Sequence, residues 1–182
     1  MNKILLIITG SIAASRCKEI ISLLNINKVK TSCILTKEAK KYIKILDLKK
    51  LLKNRIFTDE DEKKNKMLHI NLSRDNDIIV VCPTTANSIA KFANGYGDNL
   101  ASNTLLASNK KILFVPAMNS FMWHNKINQK NVRLLKDSGH EFIGPKVGNL
   151  KCGEFGLGRI DNSKIIVDKI LSRLENINLL KD

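Results

Sequence analysis

The residues best suited to chemistry lie in a few short segments. His69 sits in MLHINL, Asn119 in PAMNSFMW, and Cys152 in NLKCGEFGLGR. An imidazole can take a proton from a thiol near neutral pH, which is the task that suits His69. Its neighbours Leu68 and Ile70 are apolar, so a packed structural histidine is the competing reading. The Asn119 amide can fix a carboxylate without neutralising it. A carboxylate paired with Arg or Lys would be stabilised in the ground state and slower to leave as CO2. Cys152 lies in a glycine-rich stretch and is expected to be accessible, and the adjacent Lys151 ammonium favours proton exchange. Cys33 and Cys82 lie in apolar runs and read as buried and inert. Met122 and Trp123 read as packing or subunit-contact residues.

Two further segments have the chemistry of a phosphate and ring site. In TGSIAAS, from Thr9 to Ser15, a strand gives way to a helix through Gly10 and Ser11. Backbone N–H groups and a hydroxyl there can hold a phosphate, and a simple helix N-cap is the alternative. Thr36 falls at the end of the adjacent strand and could share that phosphate. The segment has neither GxGxxG nor the Walker lysine spacing, so a dinucleotide fingerprint and a P-loop are excluded. After Cys82-Pro83 come Thr84, Thr85, Ala86, Asn87 and Ser88. Small residues leave room for a flat ring against the backbone, and amides can bond its polar edge. The competing role is capping by Thr84 or Thr85.

The elements that must carry these residues follow from hydrophobic period. Lys3–Thr9, Thr31–Thr36, Asp77–Cys82 and Lys111–Pro116 are continuous apolar runs, the pattern of strands covered on both faces. Helical spacing follows at Ser15–Leu24, Thr85–Ala93, Asn99–Ser108 and Gln129–Lys136, where Gly139 is a stop. His140–Gly144 reads as another strand and 162–176 as a C-terminal helix. The alternation predicts an α/β fold, a doubly wound and mostly parallel sheet, in one domain spanning 1–182. Lys37–Asp61 reads as a solvated, Lys-rich excursion with helical character, after which the chain rejoins the sheet at His69. Five glycines between Gly144 and Gly158 predict a mobile loop without secondary structure.

Composition sets the class. Hydrophobic residues make up 43% and charged residues 26%, which excludes a disordered or collagen-like chain. The apolar opening is too short to span a bilayer and lacks a signal-peptide cleavage pattern. Four cysteines without a CxxC pair indicate neither a zinc site nor a disulfide framework, and reduced thiols point to a cytoplasmic protein. The net charge of +14 suggests a polyanionic partner. However, the excess is mostly Lys spread among Asn and Ile, with no Arg-rich or aromatic-interleaved stripe. Compositional bias is the better reading, and neither a specific nucleic-acid partner nor a membrane partner is expected.

GSIAAS at Gly10, LHINL around His69, TTANSIAK at Thr84 followed by GYGDNL at Gly95, PAMNSFMW at Pro116 and LKCGEFGLGR at Leu150 occur in a telling order. Together they resemble the homo-oligomeric flavin-containing Cys decarboxylases, most closely the phosphopantothenoylcysteine decarboxylase branch of coenzyme A biosynthesis. The resemblance implies a Rossmann-like flavoprotein with FMN at a subunit interface, in a trimer or an assembly of trimers. By motif, Gly10, Ser11, Ile12, Ala13 and Thr36 would hold the phosphate and ribityl end of FMN. Thr85, Ala86, Asn87, Ser88 and Ala117 would line its ring. His69 would be the base that helps oxidise the substrate thiol to a thioaldehyde, and Asn119 would hold the carboxylate that leaves as CO2. Cys152 would donate a proton while reduced FMN returns the two electrons, which together convert the enethiolate to 4′-phosphopantetheine. Asn149, Leu150 and Lys151 would belong to a flap at about 144–160 that closes over this phosphorylated cysteine conjugate.

The chain departs from the usual pattern at Lys151, where Ala is common, at Ser15-Arg16-Cys17 after GSIAA, and at GRIDN. None of these removes a proposed catalytic group. Three other readings are a peptidyl-cysteine decarboxylase of lantibiotic type, a flavin prenyltransferase, and a flavin-binding subunit that regulates a phosphatase. The LKCGE segment argues against the first, and the His69, PAMN and Cys152 set argues against the second. Intact His69, Asn119 and Cys152 favour catalysis over the third. On this reading the charge serves two small phosphorylated anions, FMN and substrate, in place of a long polyanion.

Overall fold

In a computed structural model, described over residues 2–53 and 55–179, the first apolar run forms β1 (Lys3–Ile8). A 3-10 turn over Ile12–Arg16 leads into α1 (Cys17–Ile26) and then β2 (Lys30–Leu35). Next come α2 (Ile45–Leu52), β3 (Ile56–Phe57), α3 (Asp59–Lys64) and α4 (Leu68–Arg74). The second long apolar run is β4 (Ile78–Thr84), followed by α5 (Ala86–Ala93) and α6 (Leu100–Leu106). β5 (Ile112–Pro116), α7 (Ser120–His124), α8 (Lys126–Asp137) and β6 (Glu141–Phe142) complete the sheet. A hairpin of β7 (Lys146–Asn149) and β8 (Phe155–Arg159) precedes α9 (Ser163–Leu179).

The sheet has strand order β3-β2-β1-β4-β5-β6, and every pairing in it is parallel. Residues of β1 alternate between two cores, which explains why the strand is apolar without interruption. Ile4, Leu6 and Ile8 face α1 and α9, with Ile20, Leu24, Ile166 and Ile170. Leu5 and Ile7 face the opposite layer, where Ile89, Leu100, Phe114 and Val132 pack. The doubly wound α/β fold is therefore as expected. The order reverses between β1 and β4, so the carboxyl ends of β1, β2, β4 and β5 open on a common crevice, where such folds place ligands.

Three expectations are corrected. Lys37–Asp61 is no solvated excursion: Ala39, Ile43, Leu48 and Leu52 are buried, and β3 adds an edge strand beside β2. The lysines mask this in the sequence because α2 is amphipathic, with Lys49 and Lys50 on its outer side. His69 lies on α4 and not at the start of a strand, because Leu68 and Leu72 fall at helical spacing and are buried. Gly144–Gly158 is not structureless, since β7 and β8 pair antiparallel through Val147↔Leu157 and Asn149↔Phe155.

His140 gives the fold a dependence on pH. Its ring packs against Phe92 and Phe114, at centroid distances of 5.2 and 6.0 Å, and the Ile112 N–H donates to its Nδ1 at 3.2 Å. Burial holds its proton affinity below the usual histidine value. The unfolded chain therefore takes up a proton at about pH 6.5 that the folded chain refuses. The stability contribution is present above that pH and is lost as the pH falls through the lowered folded value. Between about pH 7 and pH 5 the thermal midpoint should fall less in His140→Gln than in the unmodified chain.

Candidate active site

The crevice is built from four strand ends. After β1, the Ser11 hydroxyl accepts from the Ala13 N–H at 3.3 Å and caps the 3-10 turn. Gly10 is required by a close approach: a Cβ there would lie 2.4 Å from the Glu38 Cβ, so a side chain would close the crevice between the β1 and β2 loops. Beyond β2, the Thr36 hydroxyl donates to the Ile8 carbonyl at 3.2 Å, tying these ends together. At the end of β4, Thr84 is buried and bonded to Val81, so the capping role falls to Thr85, whose hydroxyl accepts from the Ser88 N–H at 3.2 Å. Thr85 also lies 3.0 Å from the Ser88 hydroxyl.

Two cavities flank the Gly10–Ser11 turn. One, of about 550 Å³, is lined by Gly10, Thr36, Thr85, Asn87 and Ser88 among others. The other, of about 610 Å³, is lined by Ser11, Ile12, Ala13, Ala117, Asn119 and the hairpin residues Asn149, Leu150, Lys151 and Cys152. A shallower cavity of about 380 Å³ takes Ala86 together with Asn87. The fold thus gathers the expected phosphate, ring and carboxylate residues along one sheet edge. His69 lines none of these three cavities.

Asn119 is fixed by its place at the start of α7. Its Oδ1 accepts from the Phe121 and Met122 N–H groups at 2.8 and 3.3 Å, which leaves the amide nitrogen as the outward donor. That nitrogen donates to Glu154 Oε2 at 2.5 Å and lies 3.7 Å from Cys152 Sγ. A carboxylate, an uncharged amide and an exposed thiol therefore meet at one point. Glu154 is not singled out by the sequence reading, and its only signal is its position two residues beyond Cys152. Arg16, Tyr42 and Arg159 also line this cavity. Cys17 and Cys33, by contrast, are fully buried, and desolvation pushes both thiols up. Trp123 is buried and Met122 half-exposed, so packing accounts for the first alone.

The hairpin is docked by backbone. The Met118 N–H donates to the Gly158 carbonyl at 3.0 Å, and a Cβ on Gly158 would fall 2.3 Å from the Met118 oxygen. Gly158→Ala should therefore push β8 away from the Met118–Asn119 turn, costing about 1–3 kcal/mol. It should also separate Cys152 from Asn119. A lower thermal midpoint with activity reduced about tenfold or more is the expected result, and unchanged values for both would contradict this docking.

Comparison with known proteins agrees with the fold. The chain is 37% identical over 108 residues to the "Probable phosphopantothenoylcysteine decarboxylase" of Streptococcus mutans; the match covers 58% of this chain and 60% of that protein. It is 39% identical over 99 residues to the "Coenzyme A biosynthesis bifunctional protein CoaBC" of Bacillus subtilis, covering 54% of this chain and 24% of that protein. Less than two thirds of either relative is therefore spanned. Among solved structures, a cysteine-to-serine variant of a PPC decarboxylase complexed with pantothenoylaminoethenethiol superposes with a TM-score of 0.87. It is 28% identical, covering 96% of this chain and 98% of that one. The FMN binding protein AtHal3 has a TM-score of 0.87 and 29% identity, covering 96% and 97%. The Flavoprotein family profile matches residues 1–175. With that match extending over nearly the whole chain, and with the strand-end crevice in place, the chain belongs to the Flavoprotein family.

Proposed function

We propose that this protein binds FMN and decarboxylates 4′-phosphopantothenoylcysteine to 4′-phosphopantetheine and CO2 in coenzyme A biosynthesis. The observation that carries the reading is the Asn119 amide, which already holds a carboxylate, that of Glu154, beside the Cys152 thiol. The names of the related proteins support the same reaction, substrate and cofactor. The residues present suit FMN. Gly10 leaves space that a Cβ would fill, and Ser11, Thr36, Thr85 and Ser88 offer hydroxyls along the crevice. Ile12, Ala13, Ala86, Asn87 and Ala117 complete the assignment with small, apolar or amide groups.

When bound, FMN would accept two electrons from the substrate thiol and return them to the decarboxylated, protonated product, so that the two redox steps cancel. The chain's residues supply the rest. His69 takes the thiol proton, which makes the sulfur electron-rich enough to be oxidised. The resulting thioaldehyde is an electron sink for the departing carboxylate. Asn119 positions that carboxylate with a neutral donor, so its charge is not stabilised against leaving. To make room, the substrate must displace Glu154 from the amide, since two carboxylates repel each other there. Cys152 then gives a proton to the enethiolate carbon, and the hairpin carrying Asn149, Leu150 and Lys151 covers the substrate.

His69 does not share a cavity with Asn119 and Cys152. In this reading the site is completed by a second copy, and the protein is a homo-oligomer, a trimer or an assembly of trimers. Its place is the cytoplasm. Among the described residues no helix is long and apolar enough to cross a membrane. The direct test combines a flavin absorbance spectrum of the purified protein with CO2 release from phosphopantothenoylcysteine and from a peptide ending in cysteine. Flavin absorbance with CO2 from the first substrate alone is expected. CO2 from the peptide alone, or bound flavin with no CO2 from either substrate, would overturn the proposal.

A further inference from the structure

The second acidic side chain of interest lies away from the crevice. Glu62 Oε1 is 2.7 Å from His69 Nδ1, in ion-pair contact but off the line of a straight hydrogen bond. That ring nitrogen is shut off from solvent, although the two side chains retain 25% and 18% exposure. Asn103 on α6 donates its amide to both Glu62 oxygens, at 3.5 and 3.4 Å. Glu62 of α3 thus touches the imidazole edge directly, and Asn103 of α6 reaches it only through Glu62.

The helix that carries Glu62 is held by polar ties. α3 buries no residue of its own. The Thr58 N–H donates to Asp61 Oδ2 at 2.8 Å, and Asp59 Oδ1 accepts from the Leu100 N–H at 2.9 Å at the start of α6. Asp59 is therefore spent on anchoring the helix, and Asn103 on the facing element is neutral. Glu62 is left as the charged group in contact with the ring. A carboxylate oxygen 2.7 Å away would repel a lone pair on Nδ1, so this contact favours the ring form with hydrogen there. The Nε2 lone pair is then the nitrogen free to act outward as a base.

We propose that Glu62, steadied by Asn103, is the positioning residue of His69, fixing its tautomer and directing Nε2 outward. This rests on the reading that His69 is the base. The same carboxylate–imidazole logic orients ligating and catalytic histidines in general, where loss of the outer partner costs about 10–100-fold.

The test uses the flavin-loaded full chain and the 15N resonances of its histidines, assigned by comparison with His69→Asn. In the unmodified protein without substrate, His69 should show hydrogen on Nδ1. An Nε2–H tautomer there would overturn the proposal without any variant having to fold. In Glu62→Ala, that tautomer should become mixed, and kcat for CO2 release should fall about 10–100-fold with KM changed much less. Glu62→Gln keeps an acceptor oxygen and should restore most of kcat and the Nδ1–H form. Unchanged kcat in Glu62→Ala, with His69→Asn inactive, would defeat the positioning role alone. Full turnover in His69→Asn would defeat the reading on which it rests.

Discussion

Cys152→Ser should still release CO2 from phosphopantothenoylcysteine but accumulate an oxidised, unsaturated thiol in place of 4′-phosphopantetheine. The reason is the order of events at one point in the cavity. In the proposed reaction the carboxylate leaves from a site organised by Asn119, whose amide is oriented by the α7 backbone and not by Cys152. Proton return is the later step, and the Cys152 thiol, 3.7 Å from that amide, is the donor in reach. Serine keeps the shape and removes the acidic proton, so formation of the saturated product should drop about 100-fold or more. A related PPC decarboxylase carrying a cysteine-to-serine change is complexed with pantothenoylaminoethenethiol, an enethiol of the kind expected. Mass spectrometry of the products decides the matter. Full conversion to 4′-phosphopantetheine would remove Cys152 from the reaction.

His69→Asn should retain flavin and stop CO2 release, a loss of about 100-fold or more, because it removes the group proposed to take the thiol proton. Flavin should be retained because His69 lines neither of the two cavities that flank the Gly10–Ser11 turn. The placement of His69 on α4 has a further consequence. If each site takes His69 from one copy and Cys152 from another, mixing His69→Asn with Cys152→Ser subunits creates some sites with both residues intact. Such mixtures, dissociated and reassembled, should form saturated product that neither variant forms alone. Product no greater than the sum of the separate variants would place both residues in one chain's site.

Much of this was legible in the residues. The parallel centre followed from uninterrupted apolar runs, because β1, β4 and β5 are covered on both faces. The strand-end placement of Gly10, Thr36, Thr85 and Asn119 followed from where those runs stop. What the sequence hid was structure held by backbone or by polar ties. β3 contributes only Ile56 and Phe57 to the sheet, too short a run to show a period. The β7–β8 hairpin is rich in glycine because Gly158 must approach the Met118 oxygen, and composition alone reads such glycines as a loop. α3 has no apolar face at all, so its acidic residues look like solvated charge until Asp59 and Glu62 are seen to bond across to α6. Glu154 is invisible for a similar reason: its partner Asn119 lies 35 residues away in sequence.

In the proposed reaction, oxidation and re-reduction cancel within each turnover. The most direct measurement is the stoichiometry of CO2 and 4′-phosphopantetheine formed from phosphopantothenoylcysteine without oxygen or added reductant, with substrate in large excess over flavin. Equal amounts of both products through many turnovers are predicted. A reaction that stops after one equivalent of flavin, that needs an external oxidant, or that releases no CO2 would contradict it.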